Sequence, residues 1–403
     1  MNQKRTVLKG MAAGAALSAL PLRFPRAQGR IKVGVMLPTS GALAAAGQAG
    51  QRGIELASRL LTQSGAPPME ILFADTESRP ENGRVAAERL IRDGAVVLIG
   101  AIDSGATISA SQVTEAAKVP LVVNVGAAPQ ITERGYTQIF RNFMPSGALI
   151  QQAVDRIREL LQGASARPSR AVMLYVNDTF GQTAGKAAAS LWEKMGIPIQ
   201  IVDQISYDGR ARDLSVEVAK AKAQRPDILL TVNRVNDGIL IVQEMVKQDF
   251  NPMAIFSPGS PGSYEKPFTD TLGKFSNDYL NAVPWYDLKN PRTGRILAAF
   301  DAAYPGQRFE LNSAFSYEAL EVVANAISRA RAPSPTAIHA ALRETNIEDH
   351  ITTGGPIRFD ATGQNTNIQS VLLQNQNQQP VVVGPGPLAM ARARFPMTPF
   401  GQR

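Results

Sequence analysis

The stretch "VVLIGAIDSGATIS", residues 96–109, opens on four aliphatic residues, breaks at Gly100, and presents Asp103, Ser104 and Thr107 where a helix can begin. An uninterrupted apolar run of this length reads as a strand buried on both faces. Short polar side chains just beyond it suit a helix N-cap. A buried strand that turns directly into a helix is half of a βαβ unit, and the same unit recurs along the chain. Its turn suits a phosphate, a nucleophile or the charged end of a small ligand.

Upstream and downstream of it, "IKVGVML" (31–37), "MEILFA" (69–74), "AVVLIG" (95–100) and "VPLVVN" (119–124) are short β-branched runs. Stretches such as "AGQRGIELASRLL" and "ENGRVAAERLIRDG" lie between them, with apolar residues at three- and four-residue steps. Strands alternating with amphipathic helices imply right-handed crossovers and a parallel sheet covered on both faces. The rhythm is interrupted at "FRNFMPSG" (140–147) and restarts with "RAVMLYV" (170–176), "IPIQIVDQI" (197–205), "DILLTVN" (227–233) and "MAIFS" (253–257). Two α/β halves of domain size follow from this spacing. Beyond them, "DYLNAVPWYD" (278–287) reads as extended, helices are expected near 292–303, 312–330 and 335–344, and "SVLLQ" and "PVVVG" read as late strands. Periodicity alone leaves open whether this last third is a separate domain or feeds both halves.

At 403 residues and 44% hydrophobic content the chain can bury one large or two medium cores. Residues 1–27 have a basic start (Lys4, Arg5, Lys9), the apolar stretch "MAAGAALSAL" and a small-residue exit near Ala27, and read as a secretory signal. "KRTVLKG" resembles the twin-arginine export motif, with Lys4 in place of the first arginine. Removing the five cations of this segment takes the formal net charge from +8 to +3, so the basic balance says little about nucleic acid, and no nucleic-acid partner is expected. The absence of cysteine excludes thiol catalysis and cysteine metal sites.

Enzyme chemistry has weak support. The two histidines, His339 and His350, read as surface residues among charged neighbours. "PGSPG" (258–262) lacks the first glycine of a nucleophile elbow, and there is no metal-spaced histidine cluster. "GQAGQRG" (47–53) is not a dinucleotide fingerprint and sits ten residues past its strand, which favours glycines at a packed helix start. No cofactor and no metal are expected. What remains is the set of short polar residues at strand ends: Thr39 and Ser40, Asp103 and Ser104, Asn124, Asn177 to Thr179, Asn233 and Arg234, and Ser257. Each can simply cap its helix, but in open α/β sheets ligands bind beyond the carboxyl ends of strands, and two facing sets would line one cleft.

Six stretches in order carry a family resemblance: "IKVGVMLPTSGALAAAGQAGQRGIELA", "ILFADTESRPENGRVAAERLI", "PLVVNVGAAPQITERGYTQIFRNFMPSG", "LYVNDTFGQTAGKA", "AFSYEALEVVANAI" and "GPIRFDATGQ". The chain resembles the leucine/isoleucine/valine-binding proteins, the periplasmic solute receptors of ABC importers. The resemblance implies a type I periplasmic-binding-protein fold, with two Rossmann-like parallel-sheet lobes joined by three crossings near 142–146, 284–288 and 355–360. Lobe 1 is then 28–143 plus 287–357, lobe 2 is 144–286 plus 358–390, and 391–403 is a tail. It also implies a monomer in the periplasm that closes on its ligand and docks on membrane permease subunits.

Carried over residue by residue, the family's carboxylate-binding serine matches Ser104, followed by Gly105. A threonine of the amino-acid binders is replaced by Ala127 in "VNVGAAP", beside Asn124 and Gly126. The second lobe's aromatic wall matches Phe180, without a hydroxyl. The acidic partner of a ligand ammonium matches a position near Gly259, in "SPGSPGS". A buried ammonium without a partner is unfavourable. The favoured ligand is therefore a carboxylate without an α-ammonium, clamped by Arg234 and walled by Phe180, Phe143 or Trp285. The alternatives are a branched-chain or other amino acid whose ammonium meets Asp103, with Arg234 turned to solvent, or a sensory ligand-binding module of the same fold that uses the same cleft. Ser40, Ile102, Asn233 and Ser257 complete the expected ligand-facing set.

Overall fold

The computed structural model describes residues 30–403; the expected signal, 1–27, lies outside them. The first sheet has five strands, all parallel: β1 (Ile31–Leu37), β2 (Met69–Asp75), β3 (Val97–Ile99), β4 (Leu121–Val123) and β5 (Ile139–Arg141), in the order β2-β1-β3-β4-β5. Alternate residues of β1 enter different cores, as the two-residue period of a strand requires. Val33, Val35 and Leu37 pack toward α1 (Ala44–Gln63) and α10 (Leu311–Arg329), and Met36 packs toward α2 (Pro80–Arg92) and α3 (Ser104–Ala117). β5 falls where the sequence shows only an interruption. It is three residues long and one of them is the buried Arg141, so it carries no strand periodicity.

The second sheet has seven strands, in the order β12-β11-β10-β9-β8-β6-β7. β6 (Arg170–Val176), β7 (Gln200–Tyr207), β8 (Ile228–Val232), β9 (Ala254–Pro258) and β10 (Leu280–Pro284) are parallel. Helices α4 (Ser146–Gln162), α5 (Thr179–Lys194), α6 (Ser215–Ala223), α7 (Val235–Lys247) and α8 (Lys266–Leu272) alternate with them. The two late strands, β11 (Ser370–Gln376) and β12 (Gln379–Gly384), are antiparallel, so this sheet is mixed. Their link is the pair Asn377–Gln378, both at positive φ (53° and 62°), and a two-residue turn of that hand joins only antiparallel strands. Residues 391–403, set apart in the sequence as a tail, pack on this lobe: Met397 and Phe400 are buried with the residues of β8 and α7.

The chain passes between the sheets three times. The first passage is at 142–145. The second runs from β10 into α9 (Pro291–Ala303), and the third from α11 (Pro335–Arg343) into β11. The last third thus feeds both lobes. Gln364, beyond the range expected for the third crossing, is still bridged to Arg141 of β5, and the chain turns into the second sheet after it. Glu318 of α10 fastens the first and third of these passages together. Its carboxylate accepts from Asn142 Nδ2 (2.9 Å), the Ile351 and Thr352 N–H groups (3.1 Å each) and Thr352 Oγ1 (2.7 Å). His350 lies beside it, Nδ1 to Oε1 3.5 Å, and is buried, not on the surface as its charged sequence neighbours suggested.

Candidate functional site

The carboxyl ends of β3, β4, β6, β8 and β9 face one cleft between the sheets. Its inner chamber, of ≈ 20 Å³, is walled by Ile102, Val125, Phe143, Phe180, Pro261 and Leu311, with Ala127 and Gly259. Three polar side chains reach it: Ser104, Arg234 and Tyr264. An outer chamber of ≈ 180 Å³ shares Ile102, Arg234 and Pro261 with it, and is bounded by residues 41–46 on one side and by Val235, Asn236 and Glu265 on the other.

The turn after β3 begins with Gly100, at φ +128°, where a Cβ would lie 2.3 Å from the Met36 carbonyl oxygen. Asp103 caps α3 by accepting the Ala106 N–H (2.8 Å). Ser104 Oγ accepts the N–H groups of Ala127 and Ala128, both at 3.2 Å, and so locks the 124–128 loop to the start of α3. A hydroxyl that accepts twice keeps its proton to donate.

Arg234 follows β8 and is pinned at several points. Its backbone N–H is held by the Asp237 carboxylate (2.9 and 3.1 Å), and Nη2 donates to Asp178 Oδ2 at 2.7 Å. Its Cζ stands 4.9 Å from the centre of the Phe180 ring. The side chain is 14% exposed and points into the cleft, not to solvent. Burial alone would lower its pKa, but the charges of Asp178 and Asp103 more than offset that, and the guanidinium stands above its ordinary value. Asp103, across the cleft, is raised by burial, with Arg234 acting in the opposite sense.

Two buried donors on the inner wall have no hydrogen-bond partner among the described residues: Arg234 Nε and the Tyr264 hydroxyl. Tyr264 is held from behind by Trp285, ring centroids 5.1 Å apart, so Trp285 backs the wall and does not form it. Glu265, at the outer chamber, is buried, with Oε1 accepting from Asn312 Nδ2 (3.3 Å) and Oε2 unpartnered. Burial raises Glu265 well above the usual range, and burial together with the charge of Glu265 does the same to the neighbouring Glu310 of the other lobe.

Of the residues expected to face ligand, the structure gathers Ile102, Ser104, Ala127, Phe143, Phe180, Arg234 and Gly259 around the inner chamber. It places others elsewhere. Asn124 donates to Ser316 Oγ of α10 (2.8 Å), and Asn233 and Ser257 bond within a buried cluster with Ser260 and Ser263. Gly105 faces Pro80 and Gly126 faces Thr107, where a Cβ would lie 2.9 and 2.8 Å from those side chains. Ser40 is exposed at the rim, its carbonyl accepting from Ser78 Oγ (2.7 Å). Val125, Pro261, Tyr264, Leu311 and Glu265 were not anticipated. Tyr264 and Glu265 follow a Gly/Ser/Pro loop that has no period to betray its inward face.

Two parallel-sheet lobes with a chamber between their strand ends define the class: a type I solute-binding receptor fold. The chain belongs to the periplasmic binding protein family, whose model matches residues 30–379. That family is one of solute-binding proteins, not enzymes. The chain is 25% identical over 403 residues to a Leu/Ile/Val-binding protein homologue of Brucella suis, covering 96% of this chain and 98% of the relative. Its fold is similar to that of the branched-chain amino acid substrate-binding protein LivJ of Streptococcus pneumoniae in complex with isoleucine (TM-score 0.75, 20% identity, 87% and 98% of the two chains). It is also similar to that of an ABC-transporter solute-binding protein of R. palustris in complex with benzoate (TM-score 0.74, 18% identity, 88% and 96%). No helix among the described residues is long and apolar enough to cross a membrane.

Proposed function

We propose that this protein is the extracytoplasmic receptor of an ABC importer and that it binds a small carboxylate with an aromatic or aliphatic body and no α-ammonium. The observation that carries this reading is the pair of orphaned buried donors, Arg234 Nε and Tyr264 Oη, on a wall whose remaining side chains are apolar apart from the Ser104 hydroxyl and include no carboxylate. An acid seated there receives hydrogen bonds from Arg234, Tyr264 and Ser104 while its body lies against Phe143, Phe180 and Val125. The reading is supported by the R. palustris neighbour of the same fold, which is in complex with benzoate. The inner chamber is about the size of one or two water molecules, so an acid of this size is admitted by parting of the lobes and is seated with them wider apart than they stand here. Export by the N-terminal signal, a monomeric state and docking on permease subunits belong to the same reading.

One observation favours a second reading, an amino-acid ligand: the unpartnered Glu265 Oε2 at the outer chamber, together with Asp103, offers negative charge to an ammonium. Calorimetric titration of the purified protein and of Arg234→Ala with benzoate and isoleucine separates the two. The carboxylate reading expects benzoate to bind and Arg234→Ala to weaken it by about 1.5–3 kcal/mol, the range for a hydrogen bond to a charged group. Binding of isoleucine alone, unaffected by Arg234→Ala, contradicts it.

A further inference from the structure

Asp178 stands at the end of β6, and its two carboxylate oxygens have different duties. Oδ1 accepts the Gly181 N–H at 2.7 Å and caps α5; Oδ2 accepts from Arg234 Nη2 at 2.7 Å. The cap fixes the rotation of the carboxyl group, so Oδ2 is held facing the end of β8. Arg234 is therefore fixed at its root by Asp237, across its face by Phe180 and at one nitrogen by Asp178. Asp237 is itself held by the Tyr207 hydroxyl at 2.6 Å. The buried Nε–H is left without an acceptor, on a side chain that lines the inner chamber.

We propose that Asp178 is the positioning residue of the site: by holding Nη2 it turns Arg234 from a mobile bidentate cation into a donor of fixed direction, and so selects rigid compact acids over flexible ones. This rests on the carboxylate reading. A fixed donor is matched only by an acid whose carboxylate arrives at one place, whereas a mobile one follows each ligand and discriminates less.

Asp178→Asn separates the two duties, because asparagine caps a helix as well as aspartate does but presents no second anionic oxygen. Asp178→Ala removes cap and acceptor together, and is expected to lower the Tm where Asp178→Asn does not. Two measurements on the full protein then decide. The first, without ligand, is the rate at which phenylglyoxal modifies Arg234, followed by peptide mass. Release from Asp178 is expected to raise it several-fold in Asp178→Asn, and an unchanged rate overturns the positioning role.

The second is titration with benzoate and with hexanoate. Asp178→Asn is expected to lose about tenfold in affinity for benzoate, the scale of one charge-assisted hydrogen bond, and clearly less for hexanoate. Equal losses indicate a merely structural effect and overturn the selectivity. Wild-type protein that binds neither acid sinks the carboxylate reading and the selectivity with it, while the labelling rate still decides whether Asp178 holds Arg234.

Discussion

Tyr264 is the sharpest single test of the inner wall. Its hydroxyl is buried without a partner, a state that disfavours the free protein and that an acceptor on the ligand relieves. Tyr264→Phe is expected to leave the unliganded protein at least as stable in thermal unfolding while weakening a carboxylate ligand by about 0.5–1.5 kcal/mol. A stability loss with unchanged affinity contradicts this placement. At this scale the sequence was readable where chemistry and position coincided. Ser104 and Arg234 are polar residues at strand ends, and both reach the chamber. Asn124, Asn233 and Ser257 bear the same signal yet turn inward to hold the loops, because a strand-end amide or hydroxyl satisfies backbone and ligand groups equally well.

Among the elements, α1 shows why its glycines are needed. Gly47 and Gly53 let the helix touch its surroundings: a Cβ would lie 2.1 Å from the Pro38 carbonyl oxygen and 2.2 Å from that of Ser313 on α10. These are packing glycines, as "GQAGQRG" suggested, but they reach to the middle of the helix and not only its start. Gly53→Ala is expected to destabilise the protein by about 1–3 kcal/mol, because backbone must shift, and the denaturant midpoint measures it. The elements that escaped the sequence are the ones without periodicity, β5 and the clasp formed by residues 308–312 on the segment 264–269.

In that clasp Arg308 donates to the Tyr264 carbonyl (3.1 Å) and Thr269 Oγ1 (3.2 Å), and the Lys266 N–H donates to Glu310 (2.6 Å). Glu265 and Glu310 meet there from opposite lobes, faced by Arg234, Arg52, Arg308, Tyr264 and Tyr286. Burial raises both carboxyls, so the folded protein holds protons there that the unfolded chain releases above about pH 4.5, the ordinary glutamate value. Stability from this pair is therefore lost as pH rises from that value through the raised ones. Glu310→Gln is expected to flatten the fall in Tm over this window; an unchanged slope contradicts the assignment.

For the whole molecule the central device is the joining of the first and third passages, pinned by Glu318. Burial would raise this carboxyl, but His350, Thr352 and Asn142 outweigh it and hold it below its ordinary value of 4.5. His350 is lowered by burial and raised more by Glu318, ending above 6.5. The glutamate contributes stability that is lost as pH falls through its depressed pKa; the histidine contributes stability that is lost as pH rises through its raised one. Both are present between pH 4.5 and 6.5. Glu318→Ala is expected to remove about 3–5 kcal/mol, as for one partner of a buried pair, and to return His350 toward its ordinary titration by NMR. Two α/β halves and a last third shared between them were legible because buried strands and amphipathic helices repeat. The pin was not, since Asn142, Glu318, His350 and Thr352 are brought together only by the fold.

The measurement that reaches the central claim most directly is a thermal-shift screen of the purified protein against two panels. One holds branched-chain, aromatic and polar amino acids, the other aromatic and aliphatic acids without an amino group. A ligand at a hundred times its dissociation constant adds about 2.7 kcal/mol to folding stability, enough to move the transition visibly. Stabilisation by the second panel and not the first is the predicted result. Stabilisation by amino acids alone would contradict it, and would assign Glu265 and Asp103 to an ammonium in the same cleft.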